Sequence, residues 1–263
     1  MPDRWKAIVL AAGRGRRLGD STNHCPKPLI QVGGVSILER ALCNLARQGC
    51  EEAVLIVGYR AADVRRQVGT SFGPMQITYV ENPCFDETNT AYSLWLARGF
   101  LQDNCLLLEG DLVFEEAALQ RILRLDGNSV WAGVSVGPGR DEGVLLETDG
   151  GGRVVRCQLV RLAAGRQPSL RYKCAGIQKL STGLAERFRA ELNGIMQAGE
   201  RRIYADLVLG RLLYRDHVHL CLLDDLKWAE VDDAHDLHSA RSIFRDPVVE
   251  HSSPILQERE AWL

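Results

Sequence analysis

Long hydrophobic runs are missing from this chain of 263 residues. Its start, MPDRWKAIVLAAG, holds an apolar stretch far shorter than a signal peptide or a membrane span requires, and charged residues follow at once. A cytoplasmic protein without a membrane partner is expected. Blocks of one charge are missing too. Lysine and arginine total 32 against 34 acids, a formal charge of -2, which argues against nucleic acid as the main partner. None of the eight cysteines stands in a C-x-x-C pair and the six histidines show no metal-ligand spacing, so buried thiols in a reducing compartment are expected rather than zinc or disulfides. His217 and His219, alternating on an expected strand, read as solvated. There is no internal repeat and no low-complexity segment.

What is present is enough apolar content, 46%, to bury the core of one large α/β domain. The segments KAIVLAA, SILERALCNLARQG, AVLIVG, AADVRRQVG, QITYVEN, TAYSLWLARGFL and CLLLEGD alternate strand and helix patterns, which predicts a parallel sheet with helices on both faces. In the second segment Ile37, Leu38, Ala41, Leu42, Leu45 and Ala46 keep the spacing of one buried helical face, and Gly49 stops it. After Asp111 the pattern becomes antiparallel: VWAGVSV, GVLLETDGGGRVVRCQLV with a turn at Asp149 to Gly152, and RYKCAGIQKL. Helices are expected over Ser181 to Gln197 and Arg202 to Tyr214, then strands in HVHLCLL and KWAEVDD. One domain over residues 1–244 is predicted, all of its strands in one sheet system. A tail over 245–263 with Trp262 either packs loosely or docks on a second copy to make a homodimer.

The stretch LAAGRGRRLG, Leu10 to Gly19, ends the first strand in three glycines and three arginines, and CPKPLIQVGG follows. Backbone N–H groups in such a turn can wrap phosphate oxygens, and basic side chains add positive potential. Two familiar phosphate loops fit poorly. A dinucleotide G-x-G-x-x-G would put its third glycine at Leu18, one position before Gly19, and G-x-x-x-x-G-K-[ST] is absent.

LAAGRGRRLG with PKPL downstream resembles the signature of the sugar-phosphate nucleotidyltransferase superfamily, L-A-A-G-x-G-T-R-L followed by P-K-P-L. LEGD at Leu108 to Asp111 resembles that family's metal-binding aspartate, and WAEVD at Trp228 to Asp232 its second acidic element. Arg16 departs from the usual Thr or Ser but leaves Arg17 aligned with the family's catalytic arginine. FDETNTAYSLWLA, Tyr204-Ala205-Asp206 and Trp228 are similar to segments of the small cytidylyltransferases that activate phosphocholine or 2-aminoethylphosphonate.

The resemblance implies a Rossmann-like three-layer α/β sandwich with a mostly parallel sheet and a small antiparallel extension on the substrate side. It implies Mg²⁺-dependent transfer of CMP from CTP to a small phosphate or phosphonate monoester. Arg17 and Lys27 are the expected catalytic cations, with Asp111, Glu230 and Asp232 holding the ion; the last two lie two apart on a strand and so share a face. Asp233 should face away and cap the last helix with Asp236. Leu10, Ala11, Ala12, Gly13, Gly15, Glu81, Asn82, Asn89 and Ser93 are the expected nucleotide contacts. Trp131, Tyr204, Asp206 and Trp228 are the expected pocket for a cationic head group. A sugar-1-phosphate uridylyl- or thymidylyltransferase is the alternative within the same chemistry, and a silent nucleotide-binding regulatory subunit the alternative outside it.

Overall fold

Continuous apolar runs such as AIVLA and AVLIV suit strands covered on both faces, and that is how the chain uses them. The computed structural model describes residues 5–125, 129–137, 142–161 and 169–245. Its strands are β1 (Lys6–Ala11), β2 (Gln31–Val32), β3 (Val35–Ser36), β4 (Glu52–Val57), β5 (Ser71–Phe72), β6 (Met75–Glu81) and β7 (Cys105–Glu109). They continue as β8 (Leu112–Phe114), β9 (Val130–Ser135), β10 (Gly143–Thr148), β11 (Val154–Val160), β12 (Tyr172–Leu180), β13 (His219–Leu222) and β14 (Trp228–Glu230). The α-helices are α1 (Ile37–Arg47), α2 (Ala61–Val68), α3 (Thr90–Leu96), α4 (Glu116–Arg124), α5 (Thr182–Gln197), α6 (Ala205–Gly210) and α7 (Ala234–Ile243).

Among the described residues, ten strands form one mixed sheet in the order β11-β10-β12-β7-β1-β4-β6-β5, with β9 beside β12 and β13 beside β9. Its centre, β7-β1-β4-β6, is parallel. The β10, β11 and β12 strands extend it in antiparallel fashion. Side chains alternate strictly along the central strands. Ala7, Val9, Leu55 and Leu108 pack with Leu42 of α1, Val64 of α2 and Leu119 of α4. Ile8, Val54, Ile56 and Leu107 pack on the opposite face with Leu94 of α3, Phe188 of α5 and Val208 of α6. The result is a three-layer α/β sandwich.

Local chemistry explains the helix starts. Ser36 Oγ accepts from Glu39 N at 3.2 Å and donates to the Glu39 carboxylate at 2.7 Å, a reciprocal cap for α1. At α7 Asp233 and Asp236 form a full capping box, each side chain accepting from the other residue's backbone N–H. The Asp149 turn joins β10 to β11, with Asp149 Oδ1 accepting from Gly151 N and Arg153 N.

Two expectations change, and a third falls outside what the structure describes. The helical stretch expected over Arg202 to Tyr214 contracts to α6, because Tyr204 is its extended N-cap and turns follow Gly210. KWAEVDD does not join the large sheet: β14 pairs with β8 in a separate antiparallel ladder, Glu230 opposite Leu112. The expected tail lies outside the described residues from 246 onward, Trp262 included. No described helix is long and apolar enough to cross a membrane.

Candidate active site

The parallel strands β1 and β7 both point their carboxyl ends at one edge, where open α/β sheets place ligands. After β1 the chain passes through Gly13 and Gly15 into a 3₁₀ turn over Arg16–Thr22. Gly15 has φ 71°, and a Cβ there would lie 3.0 Å from the Lys27 stem, so glycine lets the loop rest against that lysine. Lys27 itself opens a second 3₁₀ turn after Pro26. Leu18, Ile30, Val113, Val231 and Leu237 form a small apolar cluster. It pins the basic loop to the ladder of β8 and β14.

That ladder brings distant acids together. Val231 N donates to Asp111 O at 3.0 Å, and this pairing sets Asp111 between Glu230 and Asp232. Carboxylate oxygens of Asp111, Glu230 and Asp232 all lie within 4.8 Å of one another. Lys27 Nζ donates to Asp111 Oδ2 at 2.7 Å and to Asp232 Oδ1 at 2.8 Å. Arg17 reaches Asp232 at 2.8 Å, and Lys173 Nζ lies 2.6 Å from Glu230.

Of the other arginines in the loop, Arg16 pairs with Asp86 and Arg14 stacks on Tyr59, so Arg17 is the one that turns to the acids. Lys27 is only 7% exposed. Burial alone would lower its pKa, but Asp111 and Asp232 outweigh that and hold it above the ordinary lysine value. For Asp232, burial is likewise overcome by Lys27 and Arg17, and its pKa is depressed. Glu230 goes the other way: burial raises it more than Lys173 lowers it.

Hard oxygen donors so grouped suit a divalent cation such as Mg²⁺. Asp111 Oδ1 is buried without a hydrogen-bond partner, an acceptor that an ion would satisfy. Asp233, His235 and Asp236 make a second cluster, whose two carboxylates are committed to capping α7.

Arg17, Lys27, Asp111, Lys173, Glu230 and Asp232 line a cavity of about 530 Å³. Leu10, Ala11, Gly13, Gly15 and Asn89 of the expected nucleotide contacts face it, as do Tyr204 and Asp206. Ala12 does not; it is buried, and its carbonyl accepts from Tyr59 N. Glu81 is on the outside, paired with Arg65 at 3.0 Å. Asn82 and Ser93 are buried in each other's company. The Asn82 amide donates to Ser93 Oγ and Thr88 Oγ1 and its oxygen accepts from Cys84 N, so both serve to shape the loop that presents Asn89.

The two tryptophans are corrected as well. Trp131 is fully buried in the core beneath α5 and donates to Cys174 Sγ at 2.9 Å. Trp228 is packed under the sheet and donates to Ala175 O at 3.0 Å. Both strands that carry them are covered, so a large apolar side chain goes to the core. Tyr204 is thus the one aromatic among the described lining residues.

Sequence reasoning passed over Lys173 and left Glu109 unassigned, and both line the cavity. The signal for Lys173 was a lone cation inside the apolar run YKCAGI. Glu109 ends β7 beside Gly176, whose φ of 72° makes a bulge in β12; a Cβ there would sit 3.0 Å from Glu109 Oε2. Burial and the neighbouring acids Asp206, Asp111 and Glu230 hold Glu109 well above the usual carboxylate range. Burial likewise raises Asp206 to about 6, against the lowering effect of hydrogen bonds with Cys174 and Glu109. Gln178 Nε2 also donates to Asp206 Oδ1 at 2.8 Å.

A raised aspartate means that the native state holds more protons than the unfolded chain between about pH 4 and 6, so stability falls as pH rises through that window. Asp206→Asn keeps the acceptor for Gln178 and removes the buried charge. It is expected to be more stable than the parent at pH 8 by about 1–3 kcal/mol, with the gain vanishing toward pH 4. Thermal melts at pH 4, 6 and 8 check this, and equal melting temperatures at pH 8 would refute the buried-charge account.

The MobA-like NTP transferase domain model matches residues 7–246, nearly the whole chain and a range that contains this cavity. The chain belongs to that family. Among its curated relatives the NTP transferase chain is 36% identical over 248 residues to the CMP-5'-(3-aminopropyl)phosphonate synthase of Streptomyces rubellomurinus, covering 92% of this chain and 39% of that protein. It is 33% identical over 236 residues to the bifunctional IPC transferase and DIPP synthase of Rubrobacter xylanophilus, covering 88% of this chain and 50% of that one. The chain therefore spans two fifths to one half of the length of these relatives. The CTP:phosphocholine cytidylyltransferase structure from Streptococcus pneumoniae superimposes with a TM-score of 0.74 at 21% identity, covering 91% of this chain and 99% of that one, a likeness of fold.

Proposed function

We propose that this NTP transferase is a cytidylyltransferase that moves CMP from CTP to a small phosphonate or phosphate monoester with an amino head group, releasing pyrophosphate. The observation that carries the reading is the buried Lys27 held between Asp111 and Asp232 below the glycine loop. The aminopropylphosphonate synthase likeness supports the choice of nucleotide and acceptor.

The acceptor's oxyanion would attack the α-phosphorus in line; its bond to phosphorus forms as the bond to pyrophosphate breaks. A phosphate monoester is mostly dianionic at neutral pH, its second pKa being about 6, so no general base is required. What remains is to hold two anions together and to stabilise the charge that moves onto pyrophosphate. The N–H groups about Gly13 and Gly15 bind the triphosphate and Arg17 neutralises its outer phosphates. Lys27, a compact point charge, bridges the attacking oxyanion and the α-phosphate. Asp111, Glu230 and Asp232 would hold Mg²⁺, whose charge would screen the reacting anions and the leaving pyrophosphate. Leu10, Ala11 and Asn89 contact the nucleoside.

Asp206 and Tyr204 receive the head group. A primary ammonium donates hydrogen bonds to a carboxylate, whereas trimethylammonium has no N–H and needs several aromatic faces, of which this cavity has Tyr204. Pyrophosphate release should therefore appear with CTP and 3-aminopropyl- or 2-aminoethylphosphonate, stop on addition of EDTA and return with Mg²⁺. Phosphocholine should be slower by about tenfold or more in kcat/KM. Turnover confined to UTP or dTTP with a sugar 1-phosphate would replace this reading. Silence with every nucleotide would favour a regulatory subunit.

A further inference from the structure

Lys173 has no part in the chemistry above, yet it is a nearly buried cation at the cavity wall, its side chain 15% exposed. Its Nζ lies 2.6 Å from Glu230 Oε2, while Lys27 serves the other two acids. The two lysines approach the carboxylate cluster from different parts of the fold. Lys27 comes from the glycine-loop side; Lys173 comes from β12, where the next residue, Cys174, touches Asp206 Oδ1 at 3.5 Å. Lys173 thus lies beside the carboxylates, in the same cavity wall as the Cys174 that touches Asp206.

Resting on the cytidylyltransferase reading, we propose that Lys173 is the binding residue for the acceptor's phosphonate or phosphate group, and that Glu230 holds it in reserve until a divalent cation claims that carboxylate. The charges make the exchange favourable. A nearly buried ammonium needs an anion beside it. Glu230, once it ligates the ion, leaves Lys173 without one, and the acceptor dianion supplies the replacement. Glu230 in turn meets Lys173 and the ion as competitors, so the lysine weakens ion binding in the empty enzyme and strengthens acceptor binding in the loaded one.

Opposite signs for these two effects are what a merely structural lysine would not produce. In Lys173→Ala the KM for aminoalkylphosphonate should rise about tenfold or more, as for a lost charged hydrogen bond, with the KM for CTP nearly unchanged. Mn²⁺ binding to the nucleotide-free protein, followed by the electron paramagnetic resonance of free Mn²⁺, should tighten by about threefold or more because a neighbouring positive charge is gone. Lys173→Arg, which keeps the charge if the smaller residue unsettles the fold, should restore most of the acceptor KM and the weaker Mn²⁺ binding. Equal rises in both KM values, an unchanged acceptor KM, or unchanged or weaker Mn²⁺ binding in Lys173→Ala would overturn the proposal. If the parent turns over no acceptor at all, it is the cytidylyltransferase reading that fails. The Mn²⁺ measurement then still decides the exchange at Glu230: tighter binding upholds it and unchanged binding ends it.

Discussion

Lys27→Ala is expected to lose turnover by about a thousandfold, at the upper end of what one preorganised charge contributes to a transition state. Arg17 cannot replace the lysine. Its side chain is 66% exposed and engages Asp232, whereas Lys27 bridges Asp232 and Asp111 from within the protein. Removal also leaves two partly buried carboxylates facing each other, and breaking such a pair costs about 3–5 kcal/mol where it is fully buried. Stability and rate then respond differently to added Mg²⁺. The ion can take over neutralisation of the acids, so millimolar Mg²⁺ should raise the melting temperature of Lys27→Ala more than that of the parent. It should not return the rate, because the cation between acceptor and α-phosphate is still missing. Single-turnover pyrophosphate release beside thermal melts separates the two; a variant within tenfold of the parent would remove Lys27 from the chemistry.

Much of this arrangement was legible before the fold was known. The runs in β1, β4 and β7 are apolar on both faces, as strands covered on both sides require, and the glycines and acids that follow them fall at one sheet edge. Side-chain direction was less legible where partners lie far off in the chain. Asn82 and Asn89 look alike in sequence, but Thr88 and Ser93 take both amide hydrogens of the first and Cys84 N bonds its oxygen, while the second faces the cavity. Trp131 was expected in the pocket for a cationic head group. In the fold β9 lies between β12 and β13 with cores on both faces, and the ring is sealed. Lys173 escaped notice because its acid partner, Glu230, belongs to β14 in a separate ladder, so no periodicity within β12 could point the side chain toward it.

Asp111→Asn should divide the roles of the two acidic clusters. Asparagine keeps the size of the side chain and an oxygen for Lys27, but it is a far weaker ligand for a hard cation. Mn²⁺ affinity is expected to fall about tenfold or more and turnover by about a hundredfold or more. The fold should not suffer, since one of three acids crowded within 4.8 Å has lost its charge. Asp233→Ala, only one residue from Asp232, should do the reverse. Its oxygen accepts from His235 N and Asp236 N at the start of α7, and losing such a cap costs about 1 kcal/mol of stability. Mn²⁺ affinity and turnover should stay near those of the parent, because Asp233 is bound up with its own helix. Should Asp111→Asn bind Mn²⁺ as the parent does, the ion sits elsewhere, and the unpartnered Asp111 Oδ1 would have to face the substrate instead. The contrast therefore tests the ladder of β8 and β14 as much as the residues. That ladder turns Asp111, Glu230 and Asp232 inward and leaves Asp233, the next residue along, to hold the helix.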